Sequence, residues 1–199
     1  MNKTHRARQA ARILTAALVL ALLHTSSIPA ASGAPSPSAV IRHEELREIS
    51  GLAVSRLRPD LLWVLNDSGN PPALYAVTTN GNVEARVEVA NTANEDWEDL
   101  ASFRRDGTAW LLVADCGDNL ASRPRVVLWI VREPHCEAAT PPTHVHPALG
   151  IQLTYADGPR DVEAVAVDEA SGLVLLLSKR DVPPRLCAVD MPATPWTGQ

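Results

Sequence analysis

The chain has 199 residues, 18 of them lysine or arginine and 23 aspartate or glutamate, and its formal net charge at pH 7 is −5. A net-acidic chain with no basic run beyond its first residues is not expected to bind nucleic acid or an anionic membrane surface. The excess of carboxylates is compatible with a divalent cation or a cationic partner. Composition thus excludes the polyanion-binding classes before any motif is considered.

The first 34 residues have the pattern of a secretory signal peptide. Four basic residues and no acidic ones flank an apolar run at 13–23 that is too short to span a bilayer, and small residues at 32–34 offer a cleavage site. An alternative cleavage position follows Ala30. Without this leader the chain has 14 basic and 23 acidic residues, a net charge of −9. We therefore expect a secreted, extracytoplasmic protein without a later membrane span.

Three cysteines follow the leader, at Cys116, Cys136 and Cys187. In an oxidising compartment two of them could form a disulfide, and the sequence does not choose among the three pairs. Their wide spacing excludes a compact CxxC metal site. At least one is expected to be a small, buried apolar side chain.

Strand signals dominate the chain after residue 39 and fall into three units. Short apolar runs alternate with turn residues, and Asn80-Gly81 is a strong hairpin signal. Residues 133–147 are rich in proline, threonine and histidine and predict a long loop. The predicted strands are 49–54, 61–65, 73–78 and 83–89 in the first unit, 96–101, 109–114, 125–131 and 149–155 in the second, and 161–166, 173–177 and 186–189 in the third.

The three units restart in the same way, so that Leu52, Leu100 and Val165 align at spacings of roughly 50 and 65 residues. Repeats of four strands at about this length are typical of β-propeller blades, and the alternative is an all-β sandwich. We predict an all-β fold, a partial β-propeller of about three four-stranded antiparallel blades that follows a linker. The linker is 35–43, and the propeller domain is 44–199, with blades at about 44–90, 94–156 and 160–199.

Three blades do not close a ring, because closed propellers have four to eight. An open ring would leave a blade face and its strands exposed. Three interpretations stay open: the chain is a fragment of a longer protein, two copies complete one ring as a homodimer, or the fold is not a propeller. The fragment is the favoured one.

Four sequence blocks resemble a group of exported bacterial β-propeller proteins, most of them of unknown function, which are loosely similar to phytase-like esterases and calcium-binding lactonase-type propellers. The resemblance covers about residues 44–190, and the last two blocks are its most specific part. It implies a propeller with about twice as many blades. The blocks are I-S-G-L-A (49–53), L-W-V-L-N-D-S-G (62–69), D-W-E-D-L-A (96–101) and D-C-G-D-N (115–119).

Five acidic residues lie at the starts of the predicted innermost strands, which line the channel of a propeller. Blade symmetry would bring these carboxylates towards one axis, where they repel each other unless a cation lies between them. Ca²⁺ takes six to eight oxygen ligands from such groups. The alternative is that the acids cap strands or face water. The candidate Ca²⁺ ligands are Glu48, Asp96, Glu98, Asp161 and Glu163.

Other polar residues give weaker signals. Asn66-Asp67 and the group Asp115, Asp118 and Asn119 follow the second strands, where stabilisation of turns is favoured over a role as loop ligands. A zinc site at the histidines of the 133–147 loop is disfavoured because that loop is a poor rigid scaffold. No G-x-S-x-G elbow is present in the sequence. The tryptophans in or beside strands are expected to pack in the core; they are Trp63, Trp97, Trp110 and Trp129.

These observations predict an exported module that binds an unknown exported or cell-envelope ligand and is organised by Ca²⁺. A metal-dependent hydrolase of the lactonase or phytase-like esterase type is the alternative, with the channel carboxylates holding a metal that polarises an ester or phosphate. An inactive truncated fragment is the third interpretation. The sequence names no catalytic residue.

Overall fold

The computed structural model describes residues 39–136, 141–193 and 196, so the predicted signal peptide lies outside the described residues. The described residues form strands joined by turns and loops. No helix among them is long and apolar enough to span a membrane. The strands are β1 (Ile49–Val54), β2 (Leu61–Asn66), β3 (Ala73–Thr78), β4 (Val83–Val89), β5 (Trp97–Arg105), β6 (Thr108–Asp115), β7 (Val126–Arg132), β8 (His144–Val145), β9 (Pro147–Leu153), β10 (Val162–Asp168), β11 (Leu173–Ser178) and β12 (Leu186–Asp190).

The strands form three sheets that follow one another along the chain. Sheet A has the order β1-β2-β3-β4-β8, sheet B has β5-β6-β7-β9, and sheet C has β10-β11-β12. Except for β8, neighbouring strands are antiparallel, and most are joined by short turns such as Asn80-Gly81, where Gly81 has φ = 85°. These sheets confirm the predicted all-β fold of partial, propeller-like blades.

The prediction that residues 133–147 form a loop is wrong in one respect. Within it, β8 pairs in parallel with β4, through Glu88–His144 and Val89–Val145, and so adds a fifth strand to sheet A. Residues 137–140 of this loop lie outside the described residues. A strand of two residues is too short to show a periodic pattern. It forms because the edge of β4 offers unpaired backbone groups. Sequence patterning therefore could not have found it.

The innermost strands of the three sheets lie side by side, with β5 in contact with both β1 and β10. One buried apolar cluster fills the space between sheets A and B, and a second fills the space between sheets B and C. Trp63 and Trp97 are fully buried in the first cluster, Trp110 is buried in the second, and Trp129 packs against the first. The expected packing role of these tryptophans is confirmed.

At one end of β1, the buried carboxylate of Glu133 joins sheets A and B. It accepts hydrogen bonds from the Ser55 hydroxyl, the Trp63 indole Nε1–H at 3.0 Å and the Arg56 backbone N–H at 3.0 Å. A buried carboxylate with three donors has its charge well solvated by the protein. Glu133 is therefore explained by packing and hydrogen bonding alone.

The three cysteines are unpaired. Cys116 is fully buried between sheets B and C, and its thiol donates a hydrogen bond to the Val162 carbonyl at 3.3 Å. Burial raises the pKa of this thiol well above its ordinary value. Cys116 thus confirms the expectation that at least one cysteine is a small, buried side chain.

Candidate metal centre

The three inner strands share a β-bulge one residue after they begin. In β1 the register shifts between Ile49 and Gly51, in β5 between Trp97 and Asp99, and in β10 between Val162 and Ala164. A bulge leaves one residue unpaired and turns its side chain away from strict alternation. The bulged residues are Ser50, Glu98 and Glu163, and two of these three are candidate ligands.

Five carboxylates lie together where sheets A, B and C meet, and two of them, Glu98 and Glu163, are at the bulges. Ligand atoms of Asp67, Asp96 and Glu98 lie within 4.8 Å of one another, and so do those of Glu98, Asp161 and Glu163. We call the first set the AB group and the second the BC group. Glu98 belongs to both groups, so it is the centre of the arrangement.

Glu98 is 5% exposed, and no described residue donates a hydrogen bond to its carboxylate. Burial, followed by the charges of Glu163, Asp67, Asp96 and Asp161, raises the pKa of Glu98 to about 8. Glu133 is also buried, but its carboxylate accepts three hydrogen bonds, whereas that of Glu98 accepts none from the described residues. A buried, unpaired carboxylate that faces other carboxylates is costly unless a proton or a cation neutralises it.

Gly117 makes this close approach sterically feasible. A Cβ atom on Gly117 would collide with Glu98 Oε1 and would lie 2.5 Å from Asp96 Oδ2. The Gly117 backbone N–H also donates to the Asp96 carbonyl at 3.1 Å, which holds this loop against the start of β5. The glycine of the D-C-G-D-N block is therefore required by the site rather than by turn geometry.

The two groups differ in how their charge is balanced. In the BC group, Arg180 Nε lies 2.7 Å from Asp161 Oδ2, and Lys179 Nζ lies 2.7 Å from Glu163 Oε1. The Asp118 backbone N–H adds a hydrogen bond to Asp161 at 2.9 Å. In the AB group, none of the three acids forms an ion pair with a described residue. The AB group therefore has three carboxylates without an ion pair, whereas two of the three carboxylates of the BC group are paired.

The pairing of Lys179 and Arg180 with the BC group leads to a prediction. The double variant Lys179→Met/Arg180→Met is expected to bind one more Ca²⁺ per chain than the unaltered protein, because the carboxylates of the BC group lose their built-in counter-charges. Isothermal titration calorimetry measures the stoichiometry. Arg185→Met is the matched control, since Arg185 pairs with Asp157 and Asp181 outside both groups. An unchanged stoichiometry in the double variant would contradict the assignment.

The structure brings together four of the five acids singled out from the sequence: Asp96, Glu98, Asp161 and Glu163. Glu48 lies outside both groups; its exposed carboxylate accepts a hydrogen bond from Asn70 Nδ2 at 3.0 Å. Asp67 joins the AB group, although its place in a turn-rich segment favoured a structural role. The sequence did offer one signal for Asp67: it directly follows the second strand of its unit, a position where polar residues also occur in the second unit.

The other polar candidates have structural partners. Asp115 pairs with Arg123 at 2.8 Å, and the Asp118 carboxylate accepts the backbone N–H groups of Ser122 and Arg123, which fits the expected turn role. The rings of His144 and His146 lie edge to face with their centroids 5.7 Å apart. These histidines belong to neither ligand group.

Two open cavities differ in their relation to the site. A cavity of about 250 Å³ borders Asp96 and is lined further by Glu95, Asp118 and Arg123. A larger one of about 370 Å³, near Phe103 and the β10–β11 turn, contains none of the clustered acids. The smaller cavity therefore reaches the acidic cluster at Asp96.

Comparison with known proteins assigns no family to this arrangement: no protein-family model matches the chain, and no curated protein matches it in sequence.

Proposed function

We propose that this chain is an exported binding module of the β-propeller type whose ligand site is organised by a divalent cation. The observation that carries the proposal is Glu98, a buried carboxylate without a donor at the junction of two acidic groups. Export is supported by the basic and apolar leader at the start of the sequence.

Ca²⁺ is the cation that best fits the AB group. Asp67, Asp96 and Glu98 offer up to six carboxylate oxygens, and neither histidine nor cysteine belongs to the group. Hard oxygen donors suit Ca²⁺ or Mg²⁺, whereas Zn²⁺ prefers nitrogen and sulfur. Ca²⁺ accepts irregular ligand sets more readily than Mg²⁺, which demands a near-ideal octahedron.

The ligand of the module would complete the coordination of the cation. Three carboxylates rarely fill the six to eight positions of Ca²⁺ by themselves, so water or an oxygen-bearing ligand supplies the rest. The cavity beside Asp96 provides the approach, and Arg123 on its wall is held in place by ion pairs with Glu95 and Asp115. A ligand with carboxylate, phosphate or hydroxyl oxygens meets these requirements.

A calorimetric titration with Ca²⁺, Mg²⁺ and Zn²⁺ tests the proposal. We expect one Ca²⁺ per chain, with weaker binding of Mg²⁺, and we expect Asp96→Asn to weaken Ca²⁺ binding at least about tenfold. Glu44→Gln is the control, because Glu44 is an exposed acid outside both groups. Absence of Ca²⁺ binding, or equal binding by the Asp96 variant, would refute the cation site.

The hydrolase alternative makes a separate prediction on the same site. A metal held by Asp67, Asp96 and Glu98 could polarise an ester or phosphate oxygen. Turnover of aryl esters or phytate that requires Ca²⁺ and disappears in Glu98→Gln would favour the hydrolase. Ca²⁺ binding without turnover across such a panel leaves the binding module.

A further inference from the structure

The larger of the two open cavities, of about 370 Å³, lies far from the acidic groups. It is bordered by the β5–β6 turn and the β10–β11 turn, whereas the AB and BC groups lie at the starts of β5 and β10. Glu98 and Arg105 are seven residues apart on β5, which at about 3.3 Å per residue separates them by roughly 23 Å. The cavity is therefore a place of its own, at the opposite end of the inner strands.

Part of the cavity wall is apolar. Phe103, Val167 and Met191 line it, and all three belong to the apolar cluster between sheets B and C. Cavities that bind small molecules begin at about 300 Å³. At about 30 Å³ for each group the size of a water molecule, this cavity holds about twelve heavy atoms. An apolar group of that size would displace water from the wall and gain free energy by burial.

The carboxylates around the cavity already have partners. Glu169 forms an ion pair with Arg56 at 2.8 Å. The Asp168 carboxylate accepts a hydrogen bond from the Ser171 hydroxyl at 2.6 Å. Asp106 is engaged in a contact as well. The negative charges of the lining are thus committed within the chain, and they do not call for a cationic ligand.

The arginine at the cavity differs from these carboxylates. Arg105 forms no ion pair with a described residue; its Cζ lies 4.9 Å above the ring of Trp196. Trp196 is held edge to face against Phe103 and Trp110, with ring centroids 6.1 and 5.1 Å apart. Arg104, the other arginine of the lining, donates to a backbone carbonyl. Arg105 is therefore a positioned guanidinium without a described anionic partner.

We propose that this cavity binds a small organic carboxylate of about twelve heavy atoms. The carboxylate pairs with Arg105, and the apolar body packs on Phe103, Val167 and Met191. The donors of a guanidinium lie in its plane, so stacking on Trp196 leaves an edge free for a bidentate pair. The site is independent of the cation site, because none of the clustered acids lines it.

A calorimetric titration with hydrocinnamate in EDTA tests the site, since this anion joins a phenyl ring to a carboxylate in about eleven heavy atoms. We expect a dissociation constant of about 1 mM or lower. Acetate lacks the apolar body and hydrocinnamyl alcohol lacks the charge, so each is expected to bind at least about tenfold more weakly. Comparable binding of hydrocinnamate and the alcohol would overturn the role of the arginine.

Two variants test the two halves of the site. Arg105→Gln is expected to weaken hydrocinnamate binding at least about tenfold and to leave binding of the alcohol unchanged, because only the charge-assisted pair is lost. Ala170→Phe places a ring in the cavity from the exposed β10–β11 turn and is expected to weaken binding as much, with Arg105 intact. Arg125→Gln is the matched control, an exposed arginine outside the cavity.

Circular dichroism and a thermal melt verify that each variant is folded. Should Arg105→Gln fail to fold, Ala170→Phe decides, because its side chain starts from an exposed turn position. Absence of hydrocinnamate binding by the unaltered protein up to about 10 mM would overturn the proposal. Parental affinity in a folded Arg105→Gln or Ala170→Phe variant would overturn it as well. Neither result depends on whether Ca²⁺ binds at the acidic groups.

Discussion

Glu98→Gln is expected to raise the melting temperature of the protein in EDTA at pH 8.5 and to abolish its stabilisation by Ca²⁺. The glutamine keeps the shape of the side chain but removes the charge that is buried among Asp67, Asp96, Asp161 and Glu163. In EDTA this charge is unfavourable in the folded state, and at the proposed site the same charge would be a ligand of Ca²⁺. One substitution should therefore change stability in opposite directions in the two buffers.

The pH dependence follows from the raised pKa. The folded protein holds the Glu98 proton up to about pH 8, whereas the unfolded chain releases it near the ordinary value of 4.5. Between these values the folded state binds more protons, so the free energy of unfolding in EDTA falls as pH rises, by up to about 1.4 kcal/mol per pH unit. Glu98→Gln should remove this slope, because it has no proton to release.

Thermal melts at pH 5.5, 7 and 8.5, in EDTA and in millimolar Ca²⁺, measure both effects. If the proposed site binds Ca²⁺, a 100-fold excess of Ca²⁺ over its dissociation constant is expected to stabilise the unaltered protein by about 2.7 kcal/mol. Glu44→Gln, an exposed glutamate outside the acidic groups, should leave both the slope and the Ca²⁺ effect unchanged. A Glu98→Gln protein with the pH profile of the parent would refute the electrostatic account of this site.

Gly117→Ala is expected to lower Ca²⁺ affinity by about tenfold or more while the fold persists. The new methyl group would occupy the space into which Glu98 Oε1 and Asp96 Oδ2 project, and both carboxylates must turn away from each other. The atoms displaced are the ends of side chains, so the backbone need not move. Separation of the two acids also lowers the pKa of Glu98 towards its ordinary value.

Calorimetry with Ca²⁺ and a melt in EDTA distinguish the local effect from general damage. We expect weak or no Ca²⁺ binding together with a melting temperature in EDTA close to that of the parent. Full Ca²⁺ affinity in Gly117→Ala would show that the cation does not lie between Glu98 and Asp96. Unfolding of the variant in EDTA would show that the glycine serves the fold instead of the site.

Local chemistry was enough to predict most of the strands and the propeller-like arrangement. The alternation along 83–89 and the Asn80-Gly81 turn locate β4 and its hairpin closely, since strand period and turn chemistry are local properties. Asp96 and Asp161, the acidic residues at which the second and third units begin, likewise indicate where the inner strands start. Four of the five ligands that were predicted from their repeat position lie in the two acidic groups.

What the sequence could not predict depends on register and on contacts between sheets. A bulge at Glu98 shifts which side chains share a face, and the residue pattern W-E-D does not reveal which position is bulged. Arg180 follows β11 and Asp161 precedes β10, so their pairing, which balances one carboxylate of the BC group, emerges only in three dimensions. Asp67 was assigned to turns because local Asx behaviour is the commoner role of such residues.

The short strand β8 determines which sheets unfold locally as one unit. The segment that leaves β7 crosses to pair with β4 before it returns as β9, so it ties sheet A to sheet B. Blades of a repeat array otherwise interact only with their neighbours and can fray singly. Amide protons of sheets A and B should consequently exchange with solvent as one cooperative unit. Sheet C shares no described strand with sheet B and is held to it by packing such as that of Trp196 on Phe103 and Trp110, so its amide protons should exchange first. Proteolysis of the native chain would therefore begin in sheet C.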